Sequence, residues 1–199
     1  MYTLYHFPHS QHGRRVVSLL EAAGLPYQVK HVALDAAEHE SPEFLRINPN
    51  HQVPVLEDGD LRLTESNAIL RYLCTQHELL SWYPANPRQR AKVDQWLDWN
   101  QCRLAPTVVD LVLHGVFLGE QGDPQAVARG ELALPERLAI LESALQSDDY
   151  LTGSHPTIAD LSVASNITQL SFAQIEMSGH TAQWYRRMLA LDAVQQSLP

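Results

Sequence analysis

Apolar positions along the first eighty residues switch between the period of a strand and that of a helix. Residues 2–7 alternate as a half-buried strand does, with Tyr2, Thr3 and Tyr5 favouring extended backbone. Over residues 13–23, Val16, Val17, Leu19, Leu20 and Ala23 recur at helical spacing, and Gly24 ends the run. Residues 27–34 return to alternation, with a slip between Val29 and Val32. A helix crossing between two strands this close in sequence predicts a parallel pair. Ser41-Pro42-Glu43 opens a short helix, serine as N-cap and proline in the first turn, which ends at Asn48-Pro49. Residues 53–57 and 61–64 predict two strands joined through Asp58-Gly59 as a hairpin. A helix over residues 65–77 closes this half.

The segment Ser81-Trp82-Tyr83-Pro84-Ala85-Asn86-Pro87 is rich in breakers and marks a boundary. Beyond it every pattern is helical. Residues 88–104 are amphipathic, with Val93, Trp96, Leu97 and Leu104 apolar, and Pro106 kinks or restarts the chain. Residues 108–118 are apolar on nearly every side apart from Asp110 and His114, which predicts a buried central helix. A loop over 119–123, a helix over 124–145 around Pro135, and helices over 157–169 and 181–191 follow. The expected organisation is a domain over 1–78, a linker over 79–87 and an all-helical domain over 88–199. There is no internal repeat and no low-complexity tract.

A chain of 199 residues, 45% of them apolar, can bury a sizeable core in one large or two small domains. The formal charge of -9 argues against nucleic acid and against docking on an anionic membrane, both of which need clustered Lys and Arg. No run of about 18 apolar residues occurs, so no transmembrane helix is expected. Residues 1–7 lack a basic region followed by an apolar run and read as a first strand, not as a signal peptide. Cys74 and Cys102 form no CxxC or zinc-ligand spacing. Both lie in helical patterns and are expected to be buried, reduced thiols of a cytoplasmic protein. Ten scattered histidines give no metal-ligand pattern, so no metal is expected.

Ser10 is the leading candidate for chemistry. In Phe7-Pro8-His9-Ser10-Gln11-His12-Gly13-Arg14-Arg15-Val16 it stands between the first strand and the first helix, where helix amides favour negative charge. A serine hydroxyl is a poor base, being far less acidic than a thiol. It can instead donate a hydrogen bond to a thiolate and, with the helix dipole, lower the thiol pKa. The alternative is a plain helix cap. Downstream, residues 48–70 join a proline-anchored strand, a tight turn, a second strand and a helix that starts at Glu65-Ser66. A carboxylate, a hydroxyl and free helix amides together suit a peptide-like ligand carrying both an ammonium and a carboxylate.

These residues resemble the glutathione-binding half of the cytosolic glutathione transferases, and the β-α-β, α, β-β-α order is similar to the thioredoxin-like topology as that family uses it. Pro8-x-Ser10 followed by Arg14-x-Val16 resembles the serine-type enzymes, so the expectation is a delta- or theta-like bacterial member. The resemblance implies an α/β thioredoxin-like N-terminal domain followed by an all-α C-terminal domain. It also implies glutathione as co-substrate, attack of its thiolate on an electrophilic, largely apolar small molecule, and a homodimer. It places Ser10 at the catalytic serine. Gln11-His12-Gly13 departs from the proline and cysteine common there, which keeps His9 and His12 as rival thiol partners or as merely exposed histidines.

Val53-Pro54 resembles the family's cis-proline motif, which would turn the Val53 N–H and C=O toward the cysteinyl backbone of the ligand; the alternative is an edge-strand proline. Gln52 stands where several classes contact the glutathione backbone. Glu65 and Ser66 match the pair that holds the γ-glutamyl ammonium and carboxylate, or form a capping pair. His39 and His51 resemble histidines that reach the glycine end, or lie on the surface. Asn67 replaces an arginine frequent in delta relatives. Thr157-Ile158-Ala159-Asp160-Leu161 is a capping box similar to the family's folding motif, with a structural role. Trp96, Trp99, Asn100, Arg103 and His114 line the electrophile site or the helical core. Two other classes stay open: glutathione-dependent isomerisation, dehalogenation or peroxide and disulfide reduction, and a non-enzymatic binding or assembly module. The absence of a cysteine near position 10 weighs against a cysteine-dependent reductase.

Overall fold

Four strands, β1 (Tyr2–His6), β2 (Tyr27–His31), β3 (Val55–Asp58) and β4 (Leu61–Leu63), form one sheet in the order β2-β1-β3-β4. They belong to a computed structural model that describes all of residues 1–199. The chain divides into two units, Met1–Leu79 with Leu191–Pro199, and Leu80–Ala190. Helix α1 (Gln11–Ala22) crosses from β1 to β2, and the two strands pair in parallel with Tyr2 opposite Tyr27. β3 lies antiparallel to β1, and β3 and β4 form a hairpin in which Asp58 faces Leu61. Its two-residue turn is Gly59-Asp60, with Gly59 at φ +60, a left-handed conformation that glycine adopts without steric cost.

Side chains alternate across the strands, so Tyr5 and Val55 share one face and Leu4 and His6 the other. On the first face Tyr5, Val32, Phe44, Val53 and Val55 form a buried cluster. Phe44 is delivered by the short helix α2 (Pro42–Leu45), whose N-cap Ser41 accepts the Phe44 N–H at 3.1 Å. On the second face lies α1, and α3 (Ser66–Gln76) packs against α1 with Ile69, Leu70 and Leu73 fully buried. Cys74 is buried in α3, and burial pushes its thiol up to about 12. Residues 191–199 are expected from the sequence to lie in the helical half. They instead belong to the first unit, where α9 (Asp192–Gln195) packs on α1 and buries Val194.

In the second unit, Asn86 caps α4 (Pro87–Trp99) by accepting the N–H groups of Arg88 and Gln89. The helical path then runs through a π-helical stretch, Asn100–Leu104, into α5 (Ala105–Val112) and a second π-helical stretch, Leu113–Phe117. Pro106 stands directly after the first π-helical stretch and does not break the path. Three further helices follow: α6 (Pro124–Ala144), α7 (Ile158–Leu170) and α8 (Gly179–Leu189). Cys102, expected to be buried, is exposed on the first π stretch.

The predicted buried centre, residues 108–118, is corrected by the structure. Val108, Leu111 and Val112 are buried, but Leu113, Val116, Phe117 and Leu118 are all exposed by more than a third. The central helix is α7, every residue of which is buried. Its polar side chains hid this from the sequence pattern, and each finds a partner inside. Asn100, fully buried, donates to the Ser162 carbonyl at 3.0 Å and Oγ at 2.9 Å, and accepts from Asn166 at 2.6 Å. Ser165 and Thr168 donate back to the carbonyls of Ser162 and Ala164. No helix is long and apolar enough to cross a membrane.

Candidate functional site

Strand direction gathers the candidate residues at one end of the sheet. β1 and β2 end side by side, with His6 opposite His31. β3 begins beside the end of β1, with Val55 opposite Tyr5, and β4 ends beside the start of β3, with Leu63 opposite Leu56. The segments that follow β1 (Ser10), follow β2 (His39), precede β3 (His51, Gln52, Val53) and follow β4 (Glu65, Ser66) therefore all leave the same end.

Ser10 is the N-cap of α1. A turn closed by its N–H on the Phe7 carbonyl at 2.9 Å presents it, and its Oγ accepts the Gly13 N–H at 3.2 Å. That bond uses a lone pair, so the O–H remains able to donate. Capping and thiolate donation are thus compatible here. α1 has no acidic residue in its first turn, so nothing on the helix offsets the positive end of its dipole. His9 is exposed, its ring tilted against Phe7 at 5.5 Å. His12 is half-buried; burial and then the Arg15 guanidinium lower its imidazole to about 3, so it is neutral near pH 7.

Gly13 is the point where β1 presses on α1, and a Cβ there would overlap the imidazole of His6. His6 is buried, its Nδ1 has no hydrogen-bond partner, and burial, then Arg14 and His31, lower its pKa to about 4. Gly13→Ala is expected to cost about 1–3 kcal/mol, read from the urea midpoint, because an added methyl must displace a packed ring. Pairing it with His6→Ala should recover part of that loss in a double-mutant cycle.

The segment before β3 is held by Asn48, 1% exposed. Its Nδ2 donates to the Gln52 carbonyl at 2.7 Å, its Oδ1 accepts the Asn50 N–H at 3.0 Å, and its own carbonyl accepts the His51 N–H at 3.1 Å. In the sequence Asn48 marks only a turn, although an asparagine that can bond the backbone two residues on is the signal of this role. His51, at φ +57, and Gln52 are exposed. The Val53-Pro54 bond is cis, and Val53 precedes the β3 ladder, whose first paired residue is Val55. His39 lies on a 3-10 turn, Glu38–Glu40, with Nε2 4.0 Å from Glu40 Oε1 and a buried Nδ1 that lacks a partner.

Glu65 does not act as a side-chain cap. It is exposed, it takes the N-cap position of α3 at φ +64, and it makes no cap hydrogen bond. Ser66 follows as the first helical residue and is buried. Beneath it, Arg15 on α1 donates to Asn67 Oδ1 at 3.3 Å and approaches Ser66 Oγ at 3.5 Å, the outer limit of a hydrogen bond. Arg15 is wholly buried; burial and then Arg14 lower its pKa to about 9, which leaves it charged near pH 7. Nothing in the sequence pattern distinguished Arg15 from a helix-surface arginine.

Of the residues expected to line an electrophile site, Asn100 is instead a core residue and His114 Nδ1 accepts the Asp123 N–H at 3.2 Å. Arg103 is exposed. Trp96 and Trp99 meet edge to face at 5.1 Å and line a groove of about 520 Å³ with Glu136, Ala139 and Ile140. A hollow of about 340 Å³ beside α2 is lined by Tyr5, Lys30, His31 and Phe44 among others. Neither contains any of the seven residues at the end of the sheet. No group of three or more His, Cys, Asp or Glu side chains is placed to hold a metal ion.

Comparison with known proteins gives a consistent picture. The family description "Glutathione S-transferase, N-terminal domain" matches residues 1–75, and "Glutathione S-transferase, C-terminal domain" matches residues 124–187. Glutathione S-transferase 2 of Anopheles gambiae is 34% identical over 195 residues, covering 96% of this chain and 91% of that protein. Glutathione S-transferase theta-1 of Mus musculus is 34% identical over 190 residues, covering 91% and 79%. The apo form of human glutathione-S-transferase T1-1 superposes with a TM-score of 0.91 at 32% identity, over 99% of this chain and 87% of that one. A delta-class glutathione transferase of Nilaparvata lugens gives 0.88 at 29% identity, over 100% and 93%.

Proposed function

Because this chain belongs to the glutathione S-transferase family, we propose that the end of its sheet binds glutathione and that the Ser10 hydroxyl keeps the bound thiol ionised. The thiolate then attacks an electrophilic, largely apolar small molecule. In this reading the γ-glutamyl ammonium meets the Glu65 carboxylate. The γ-glutamyl carboxylate takes the Ser66 hydroxyl and the free N–H groups of the α3 N-terminus. The cysteinyl backbone bridges to the N–H and C=O of Val53, and Gln52, His51 and His39 serve the backbone and the glycine end. The chain works as a cytoplasmic homodimer. Cysteine-dependent reduction finds no support in the first unit, whose one cysteine, Cys74, is a buried thiol pushed to about 12.

Glu65 carries this reading. A non-glycine residue at φ +64 costs roughly 1–3 kcal/mol, and glycine would adopt the same backbone with less strain. An exposed carboxylate retained at that cost, without capping its helix, is explained by a cationic group of a ligand. Glu65→Gly is therefore expected to raise stability by about 1 kcal/mol while weakening glutathione binding roughly tenfold. Glu65→Ala should lose the binding without the gain in stability. Calorimetric titration and urea unfolding measure the two effects; a Glu65→Gly protein that bound glutathione as well as the native one would sink the assignment.

A further inference from the structure

We infer that Arg15 is a positioning residue for the carboxylate end of the ligand: from inside α1 its guanidinium orients the Ser66 hydroxyl and makes this corner selective for an anion. The inference rests on the assignment of Ser66 to the γ-glutamyl carboxylate. A guanidinium has donors and no acceptor, so in its contact with Arg15 at 3.5 Å the Ser66 oxygen can only accept. The serine proton is then directed away from Arg15 and stays available to a ligand. Asn67 Oδ1 takes a second N–H at 3.3 Å, which holds the planar fork under the first turn of α3.

Charge works in the same direction. Arg15 is 0% exposed, so its field is little screened by salt, and it stands behind a helix N-terminus that is already positive. Residues 66 and 67 of α3 carry no charge of their own, whereas Arg15 of α1 does. The same helix carries Ser10 at its N-cap. One rigid element would thus set both the thiol end and the carboxylate end of the bound tripeptide.

The test compares glutathione with 4-aminobutyryl-cysteinylglycine, which keeps the ammonium and the thiol but lacks the γ-glutamyl carboxylate. Dissociation constants are measured for both on native protein, Arg15→Gln and Arg15→Lys, with circular dichroism and urea midpoints as the check on folding. Native protein should prefer glutathione by roughly tenfold or more. Arg15→Gln should weaken glutathione roughly tenfold and leave the analogue within about twofold, so that the preference collapses. Arg15→Lys keeps a cation without the fork and should retain part of the preference. Should Arg15→Gln not fold, Arg15→Lys decides, since a complete loss of preference in a folded lysine variant counts against the inference. Equal weakening of both ligands in the variants would make Arg15 purely structural and overturn the inference, with the placement of the ligand intact. A native protein that did not distinguish the two ligands would instead remove the assignment of Ser66, and the inference with it.

Discussion

Ser10→Ala is expected to raise the pKa of the bound glutathione thiol by about one to two, and to lower the rate of conjugation roughly ten- to a hundredfold at neutral pH. A hydrogen bond to a charged acceptor contributes about 1.5–3 kcal/mol, and about 1.4 kcal/mol corresponds to one pKa unit. The O–H is available for that bond because the cap contact with Gly13 N–H at 3.2 Å occupies only a lone pair of Oγ. The helix dipole persists in the mutant, so part of the thiol's acidity should survive. Thiolate ultraviolet absorbance during a pH titration of the complex reads the effect directly. Loss of the cap adds about 1 kcal/mol of instability, separable by urea unfolding, and Ser10→Thr should recover both properties in part. Unchanged thiol acidity in Ser10→Ala would shift the role elsewhere. His12, kept neutral near pH 7 because burial and then Arg15 lower its imidazole to about 3, would offer only a neutral N–H in its place and no cation.

Asp160→Asn should be the most destabilising single change, about 3–4 kcal/mol. The carboxylate is fully buried and accepts four hydrogen bonds. Oδ1 takes the Leu151 N–H at 2.9 Å and the Trp184 Nε1–H at 3.0 Å; Oδ2 takes the Thr157 N–H at 2.8 Å and its hydroxyl at 3.0 Å. Burial pushes this carboxyl pKa up, and the four donors act against that push. Both oxygens face N–H groups that can only donate. An amide in either orientation sets its own NH2 against at least one of them and strands the groups on that side. At about 2–4 °C per kcal/mol for a chain of this size, the thermal midpoint should fall by roughly 6–15 °C. A fall under about 2 °C would mean that the network is not what joins the start of α7 to α8.

Much of this architecture is written in local chemistry. Periods of two and 3.6, the hairpin glycine Gly59, the Ser41 cap and the Thr157–Asp160 box each act within a few residues, so they can be read without knowing what lies across the chain. Ser10 was recognisable for the same reason, since a serine at a strand-to-helix junction has a predictable relation to the helix amides. Residues 48–70, with Val53 and the Glu65-Ser66 pair, carried the resemblance to the family, and the order of elements agreed with it.

Other features depend on which distant segments meet, and a one-dimensional pattern is blind to them. The burial of α7 was concealed by its Ser, Asn and Thr: Asn100, some sixty residues away in the chain, pairs with Ser162 and Asn166, while Ser165 and Thr168 turn back to carbonyls of α7 itself. The apolar run ending at Leu118 looked central and is half surface, because hydrophobicity on all sides does not say which sides find a partner. Cys102 was misjudged for the same reason. Arg15 gained meaning only when α1 was laid under the start of α3, and residues 191–199 only when α9 came back to α1. By itself, then, the sequence determined the elements, their order and the residue types offered at each turn, because those follow from short-range sterics and hydrogen bonding. Tertiary structure alone decided which helix is central, which charge stands behind the first turn of α3, and that four separate loops leave one end of the sheet, because each of these is set by contacts between segments far apart along the chain.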